Sequence, residues 1–523
     1  MKLMAPAPLM DFRNEPHADF SVPANRQAME TALARVRSEF GREYALSMGG
    51  EWFSTGDMLT SVNPSDSRQV VGVHHKATPE LAARAVEGAH ACFSKWSRTP
   101  ASERVRLLRE TARIVRQRKF EFDAWLVYEA GKTWIEAEAD VCEGIDFCEY
   151  YANAMERLAG PQPVSQLPGE LDEMIYIPLG VGVVIPPWNF PLAILAGMTV
   201  ASLVAGNPVV LKPSSETPTI ALKFAEALRE AGFPEGSFTL LVGSGAAVGD
   251  TLVGHPRTRF ISFTGSRDVG LHINELAARH QPGQIWIKRV IAEMGGKDPI
   301  VVDDSAGLDK AVDGVLVSAF GYQGQKCSAC SRAIVHAAVY AEFVDRLAAK
   351  ARNIRVGPAD DPGNYMGPVI SESARRTILK YIETGKREGR LVVGDAAVPG
   401  GGFFVAPTIF GDVDCQATIF QEEIFGPVLA VTQARDFEHA LALANDSVYG
   451  LTGALFSNTP EHLREARERF HVGNLYFNRK CTGAMVGAHP FGGFNLSGTD
   501  SKAGGPDYML LFLQAKSVAT RLG

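Results

Sequence analysis

The spacing of apolar and polar positions changes along the chain, and the changes divide it. From 78 to 150 apolar residues recur at helical intervals, as in Val105, Leu108, Ile114 and Val115. Two helix starts are written there, "TPE" at 78–80 and "TPASE" at 99–103: threonine caps, proline takes the first helical position and an acid sits in the first turn. From 180 to 305 the pattern alternates. Short apolar runs ("GVGVVI", "PVVLK", "FTLLVG", "RFISFT", "PIVVDD") are separated by amphipathic stretches such as "TPTIALKFAEALREAG". That alternation predicts βαβ units on a twisted, largely parallel sheet. It resumes beyond residue 330 with "RAIVHAAVY", "AEFVDRLAAKARNI", "LAVTQA", "HALALANDS" and "ALFS", which predicts a second α/β unit. "LDEMIYIPLG" at 171–180 and the C-terminal "LLFLQAKSVATRL" read as strands outside both units, suited to an association surface.

No charge falls between Leu179 and Leu211, but "PPWNFP" at 186–191 interrupts that run. The apolar piece after it is shorter than the roughly 20 residues of a spanning helix, so a core helix at about 192–205 is expected. Of the 523 residues 46% are hydrophobic and 21% charged, the balance of a chain with a large core, and the net charge is −7. With no basic stripe, nucleic acid and membrane are not expected as partners. The N-terminus lacks a signal-peptide apolar core, and seven scattered cysteines suggest reduced thiols and a cytoplasmic location.

The chemistry centres on "GQKCSACS" at 324–331, where two residues separate Cys327 from Cys330. The spacing fits half a zinc site, a dithiol pair, or one nucleophile with a bystander. Zinc needs a second close pair of ligands, and none is present. A redox dithiol usually opens a helix after a strand, whereas this pair follows the helical "LDKAVDGVLVSAFGYQ" and precedes a strand. A cysteine nucleophile suits attack near neutral pH because its thiolate is accessible and its thioester labile. Companions for that role exist: Glu293 in "EMGGKDP", the amide of Asn189 in "PPWNFP", Ser266 at the helix start after "FTGS", and the carboxylate and aromatic ring of "QEEIFGPV" at 421–428.

With "WNFP", "LKPS", "FTGS", "EMGGKDP", "GQKCS", "EEIFGPV" and "NDSVYGLTGALF" in order between about 180 and 500, the chain resembles the aldehyde dehydrogenase superfamily. The resemblance implies an α/β fold with a Rossmann-type NAD-binding domain, an α/β catalytic domain and a small β-arm oligomerisation domain. The division it suggests is 1–158 (a helical N-terminal region) with 177–292 for NAD binding, 293–498 for catalysis, and 159–176 with 499–523 for a homo-oligomer of dimer size or larger. It implies Cys327 as nucleophile, Asn189 and the Cys327 N–H as oxyanion donors, Glu293 as the base that activates water, and no metal. For NAD it implies Ile185, Pro187, Trp188, Lys212, Ser215, Gly245, Gly249, Ser266, Glu423 and Phe425. Ser215 stands where many NAD-specific members have Glu, which implies some tolerance for NADP.

Local features narrow the resemblance. "FRNEP" at 12–16, "EAEADVCEGIDFCEYYA" at 136–152, "GYQGQKCSACSR" and "CTGAMVGAHPFGGFNLSGTDSKAGGPDY" resemble the L-glutamate γ-semialdehyde (1-pyrroline-5-carboxylate) dehydrogenases nearly end to end. These make glutamate in proline catabolism, which adds a proline dehydrogenase as a transient partner. The implied substrate residues are Ser328, Gly483 and Ala484 for the carboxylate, Phe190 and Phe491 for the methylenes, and Glu138 for the ammonium group. Another semialdehyde, such as that of succinate, is the alternative substrate.

Overall fold

The computed structural model describes residues 11–394 and 396–522, so the first ten residues of the N-terminal region lie outside the described residues. Both predicted sheets are present. The first has five parallel strands in the order Arg289–Glu293, Thr258–Thr264, Val181–Ile185, Val209–Leu211, Phe238–Leu240. The strand Val181–Ile185 is buried over four of its five residues, as expected where helices cover both faces of a parallel sheet. Gly182 in it is obligatory: a Cβ there would lie 2.2 Å from the Phe260 ring on the neighbouring strand.

The second sheet has seven strands in the order Arg390–Val393, Thr408–Gly411, Val428–Ala434, Cys330–His336, Asp298–Val302, Thr452–Phe456, Asn474–Phe477, with only the first pair antiparallel. "PIVVDD" therefore belongs to this sheet. The fifth strand of the first sheet is Arg289–Glu293, a segment that the apolar-run pattern does not single out.

Two other expectations are corrected. The N-terminal region is not wholly helical: between Arg42 and His75 it holds five strands, three of them in one small sheet. Thr78 caps the helix Pro79–Trp96 by accepting from the Leu81 N–H at 3.3 Å. Thr99 does not cap the next helix, which begins at Ala101 after Pro100. Its hydroxyl and N–H are instead engaged by carbonyls of the preceding helix, Lys95 and Trp96.

The two end strands pair antiparallel over their whole lengths, Glu170–Pro178 with Leu513–Arg521, and form a ribbon apart from both sheets. No helix among the described residues is long and apolar enough to cross a membrane. The segment between Leu179 and Leu211 is instead a strand, an irregular turn and the buried helix Ala193–Val204.

The chain order places the site. In the first sheet it runs outward from Val181–Ile185 to Phe238–Leu240, then returns to the other side at Thr258–Thr264. The crevice outside the carboxyl ends of those two strands is the switch point where α/β sheets bind ligands. Asn189, Lys212, Ser266 and Glu293 all sit at that edge, at or just after strand ends. The second sheet presents its amino edge to the same place, with Cys327 just before the strand Cys330–His336 and Glu423 before Val428–Ala434. Residues 294–297 cross directly from the end of one sheet to the start of the other.

Candidate active site

The loop carrying Cys327 is held in an unusual backbone. Tyr322, Gln323 and Gly324 are all left-handed, with φ of 56°, 57° and 66°. Each non-glycine residue in that region costs about 1–3 kcal/mol, so something must hold it. Glu136 does: its carboxylate accepts from the Tyr322 N–H at 2.5 Å and from Gln323 Nε2 at 3.2 Å. Gly324 must be glycine, since a Cβ would meet the Gly426 carbonyl oxygen at 2.2 Å.

Asn189 enters from the other sheet. The helix that follows it has no side-chain cap of its own; Asp140 caps it from the long helix Trp134–Leu158 by accepting from the Ala193 N–H at 2.7 Å. The Asn189 amide donates one proton to the Gln325 carbonyl at 3.0 Å, which orients it beside the cysteine loop. Its second amide proton and the Cys327 N–H have no protein acceptor among the described residues. Two free donors from two elements are what an oxyanion on a carbon bound to Cys327 requires. Asn189→Ala is expected to lower kcat by about 10²–10³-fold with dinucleotide affinity unchanged, as measured by steady-state kinetics and titration.

Three carboxyl groups surround the thiol, Asp298 buried and Glu293 and Glu423 half-buried. Burial pushes Glu293 up to about 8, opposed by hydrogen bonds from Ser501 and by Lys502. Its Oε1 accepts from the Ser501 hydroxyl, while Oε2 is buried without a partner. Burial pushes Glu423 up to about 7, although the Gly296 N–H donates to it at 3.0 Å. Asp298 is also pushed well up by burial, with the Thr452 N–H on its Oδ1 at 2.7 Å. Burial and these carboxyl groups together push the Cys327 thiol up, so the resting sulfur is protonated rather than the ready thiolate that the sequence suggests. Attack on an aldehyde therefore needs a base for the thiol proton; Glu293 and Asp298 each have a carboxyl oxygen without a partner, and Glu293, at the carboxyl end of the facing strand, is the half-buried one of the two.

Cys330 opens a strand, is 1% exposed and packs in the core of the second sheet with Cys481. All seven cysteines are free, and among the described residues no cluster of His, Cys, Asp or Glu has the makings of a metal site.

The residues that the resemblance assigns to NAD fall around the switch-point crevice. Ile185 ends the central strand, Pro187 and Trp188 lie in the turn that follows, and Trp188 meets Phe425 edge-on at 5.3 Å between centroids. Lys212 follows the next strand; it is buried, burial lowers its ammonium to about 8, and its only acceptor among the described residues is the Pro213 carbonyl at 3.4 Å. An ammonium so poorly satisfied fits a ligand that brings hydroxyl groups. Gly249 lies beside the Lys212 stem, where a Cβ would be 3.9 Å away, whereas Gly245 faces open space. Ser266 is the exposed N-cap of the helix Arg267–Ala278, and its hydroxyl caps nothing, which leaves that helix end open to an anion. Ser215 is half-buried and Glu216, next to it, is exposed. Gly295 keeps room for Glu423: a Cβ there would lie 2.1 Å from its carboxylate.

On the opposite side of Cys327, Phe190 stacks on Tyr322 at 5.0 Å, and Lys132 lies over both rings. Ser328 is buried, and Phe491 is bridged to Ala503. The N–H groups of Gly483 and Ala484 have no protein acceptor among the described residues, and Gly483 has φ of +75°, a conformation that suits glycine.

Glu138 is not part of this group. Its carboxylate is buried between Lys119 at 2.8 Å and the Ala18 N–H at 2.6 Å, on another face of its helix. Glu143, on the same helix, faces the group instead. It is half-buried beside Asp140, Lys132 and Tyr322, has no hydrogen-bond partner among the described residues, and is pushed up to about 8 by burial and by Asp140 and Asp146. Glu136, Asp140 and Glu143 stand at i, i+4 and i+7, one helical face, and Glu138 is half a turn off it. That spacing is the signal by which Glu136 and Glu143 could have been found.

Residues 52–518 match the Aldehyde dehydrogenase family. The 1-pyrroline-5-carboxylate dehydrogenase of Geobacillus thermodenitrificans is 58% identical over 508 residues, which is 97% of this chain and 99% of that one. A solved structure of 1-pyrroline-5-carboxylate dehydrogenase from Thermus with bound NAD superposes with a TM-score of 0.96 at 51% identity over all of both chains. Proline utilization A from Bdellovibrio bacteriovorus superposes with a TM-score of 0.97 at 46% identity, over 99% of this chain and 54% of that one.

Proposed function

The chain belongs to the aldehyde dehydrogenase family, and we propose that it oxidises L-glutamate γ-semialdehyde, the open form of 1-pyrroline-5-carboxylate, to L-glutamate in proline catabolism with NAD. The observation that carries the substrate is the pairing of two unpartnered N–H groups, Gly483 and Ala484, with an unpartnered carboxyl group, Glu143, around the Phe190–Tyr322 wall. The first pair suits a carboxylate and the second group an ammonium. Phe190 and Phe491 suit the methylenes between them, and Ser328 supports the carboxylate end.

The residues act in sequence. As the Cys327 sulfur bonds to the aldehyde carbon, its proton passes to Glu293, and the oxygen becomes an oxyanion held by the Asn189 amide and the Cys327 N–H. The bound nicotinamide supplies the acceptor for the hydride. Collapse of the oxyanion leaves a thioester on Cys327; Glu293 gives up the thiol proton to solvent and, ionised again, takes a proton from the water that attacks the thioester, then returns it to the departing Cys327 sulfur. Lys212, Ser266, Glu423 and Phe425 hold the dinucleotide. Ser215 in place of a carboxylate removes a repulsion toward a 2′-phosphate, so NADP is expected to turn over more slowly than NAD but measurably.

Steady-state assays with the glutamate and succinate semialdehydes and both dinucleotides test this. The glutamate semialdehyde is expected to have a kcat/KM at least about tenfold higher, the worth of one charge-assisted contact of about 1.5 kcal/mol. A preference for succinate semialdehyde would replace the substrate assignment and leave the mechanism in place. The exposed ribbon of Glu170–Pro178 and Leu513–Arg521, with Leu171 46% exposed, supports a homo-oligomer. A proline dehydrogenase as transient partner is supported by the bifunctional proline utilization A protein, in which a domain like this one covers 47% of the chain.

A further inference from the structure

The N-terminal segment 11–22 precedes the stretch that matches the family, has no regular secondary structure over most of its length, and lies across the helix Trp134–Leu158. Its contacts are not those of a loose tail. Asn14 Nδ2 donates to Asp146 Oδ2 at 2.8 Å and to the Val486 carbonyl at 3.1 Å. The Glu15 N–H donates to the other oxygen of Asp146 at 2.6 Å, and Asp146 is only 4% exposed. Phe12 packs edge-on against Tyr150 at 5.2 Å and sits against Gly487, where a Cβ would be 3.1 Å from its ring.

These two ends matter because of where they lie. Val486 is two residues beyond Ala484, in the loop whose free N–H groups suit the substrate's carboxylate. Asp146 is one turn beyond Glu143, on the helix that offers the carboxyl group for the ammonium. Arg479 fastens the near side of the loop through the Thr482 and Gly483 carbonyls at 3.0 and 3.1 Å. Asn14 fastens the far side.

We propose that Asn14 is a positioning residue for substrate recognition: by donating to Asp146 and to the Val486 carbonyl together, it fixes the distance between the loop that binds the substrate's carboxylate and the helix that binds its ammonium. A group that recognises both charged ends of a small amino acid must hold its first shell within about 0.5 Å, and that precision comes from supporting hydrogen bonds behind it. Both amide protons are used, so no smaller polar side chain can span the two acceptors. Asn14 touches neither substrate nor cysteine, and its effect is confined to substrates that carry both charges. The inference rests on the glutamate semialdehyde reading above.

Asn14→Ala and the isosteric Asn14→Asp, which turns a donor into an acceptor facing two oxygens, test it with two aldehydes and one product. For L-glutamate γ-semialdehyde the KM is expected to rise about tenfold with kcat within twofold of wild type. For butanal, the same carbon chain without the charged ends, both constants are expected to stay at wild-type values. The affinity for L-glutamate, measured by calorimetry on the NAD-loaded enzyme, is expected to fall about tenfold while NAD affinity stays constant. Equal losses on both aldehydes would reduce Asn14 to a stability residue and overturn the proposal, as would an unchanged semialdehyde KM in both variants. Should the alanine variant not fold, the isosteric one carries the same readouts. A wild-type enzyme without activity on the glutamate semialdehyde would overturn the functional reading itself, and this inference with it.

Discussion

Cys327→Ala is expected to abolish NADH formation, a loss of about 10⁴-fold or more, while NAD binds as in the wild type. The substitution removes one sulfur and leaves every other part of the site. The oxyanion donors remain, because one is the backbone N–H of residue 327 and the other the Asn189 amide, which is oriented by the Gln325 carbonyl. Of the residues proposed to hold the dinucleotide, Lys212 and Ser266 sit at the carboxyl edge of the first sheet, and none depends on the thiol. No other thiol can substitute. Cys330 is 1% exposed and Cys481 is fully buried, and both belong to the packed core of the second sheet. Rapid quench during turnover followed by peptide mass spectrometry should find the acyl group on the Cys327 peptide of the wild type and on no peptide of the variant. Turnover that survives the substitution would mean that the covalent route through Cys327 is wrong.

The parallel sheets were legible because buried parallel strands are short unbroken apolar runs, and "GVGVVI" or "RFISFT" has no other plausible use. The strands between Arg42 and His75 were not, because most of them are short, Arg42–Tyr44 is largely exposed and rich in charge, and the longer Asp66–His75 opens on charged and polar positions. Arg289–Glu293 hid for a related reason: it is an edge strand, buried over only two of its five residues. Motif resemblance proposes Cys327, Asn189 and Glu293 as a catalytic trio, and the fold brings the three together, yet the charge state around them was not legible. That depends on which carboxyl groups are buried together, and Glu293, Asp298 and Glu423 come from separate segments that only the meeting of two sheet edges unites. Glu138 shows a different limit. A helix rich in acids offers several carboxylates, and only the face that the helix turns to the site decides among them. The 136, 140, 143 series marks that face, and Glu138 lies off it.

Glu293→Gln is expected to release about one NADH per active site in a rapid burst and then to stall, because acylation and hydrolysis make different demands on that residue. The acyl enzyme can still form without a carboxylate, faster than it is hydrolysed, since the thiol proton can leave through water. The thioester then has no base to draw a proton from its attacking water, and it accumulates. Steady-state kcat should drop about 10²–10⁴-fold, the range for loss of a general base. In the wild type the base is the ionised form, and burial sets its pKa near 8. Hydrolysis should therefore quicken as pH rises and level off above about 8, whereas the slow rate of the variant should lack that step. Stability moves the opposite way. The folded pKa lies above the ordinary carboxyl value of 4.5, so the folded protein keeps a proton that the unfolded chain releases. The wild type is then progressively destabilised, relative to low pH, as pH climbs from 4.5 through about 8. Glutamine, which is neutral at every pH, avoids that loss, so the melting-temperature difference in favour of the variant should widen across the same window. Thermal melts at pH 5 and pH 9 beside stopped-flow burst traces read both effects on one pair of proteins. A variant with a normal steady-state rate would remove Glu293 from the hydrolytic step, and a melting difference independent of pH would mean that its carboxyl group is not the buried, proton-retaining one.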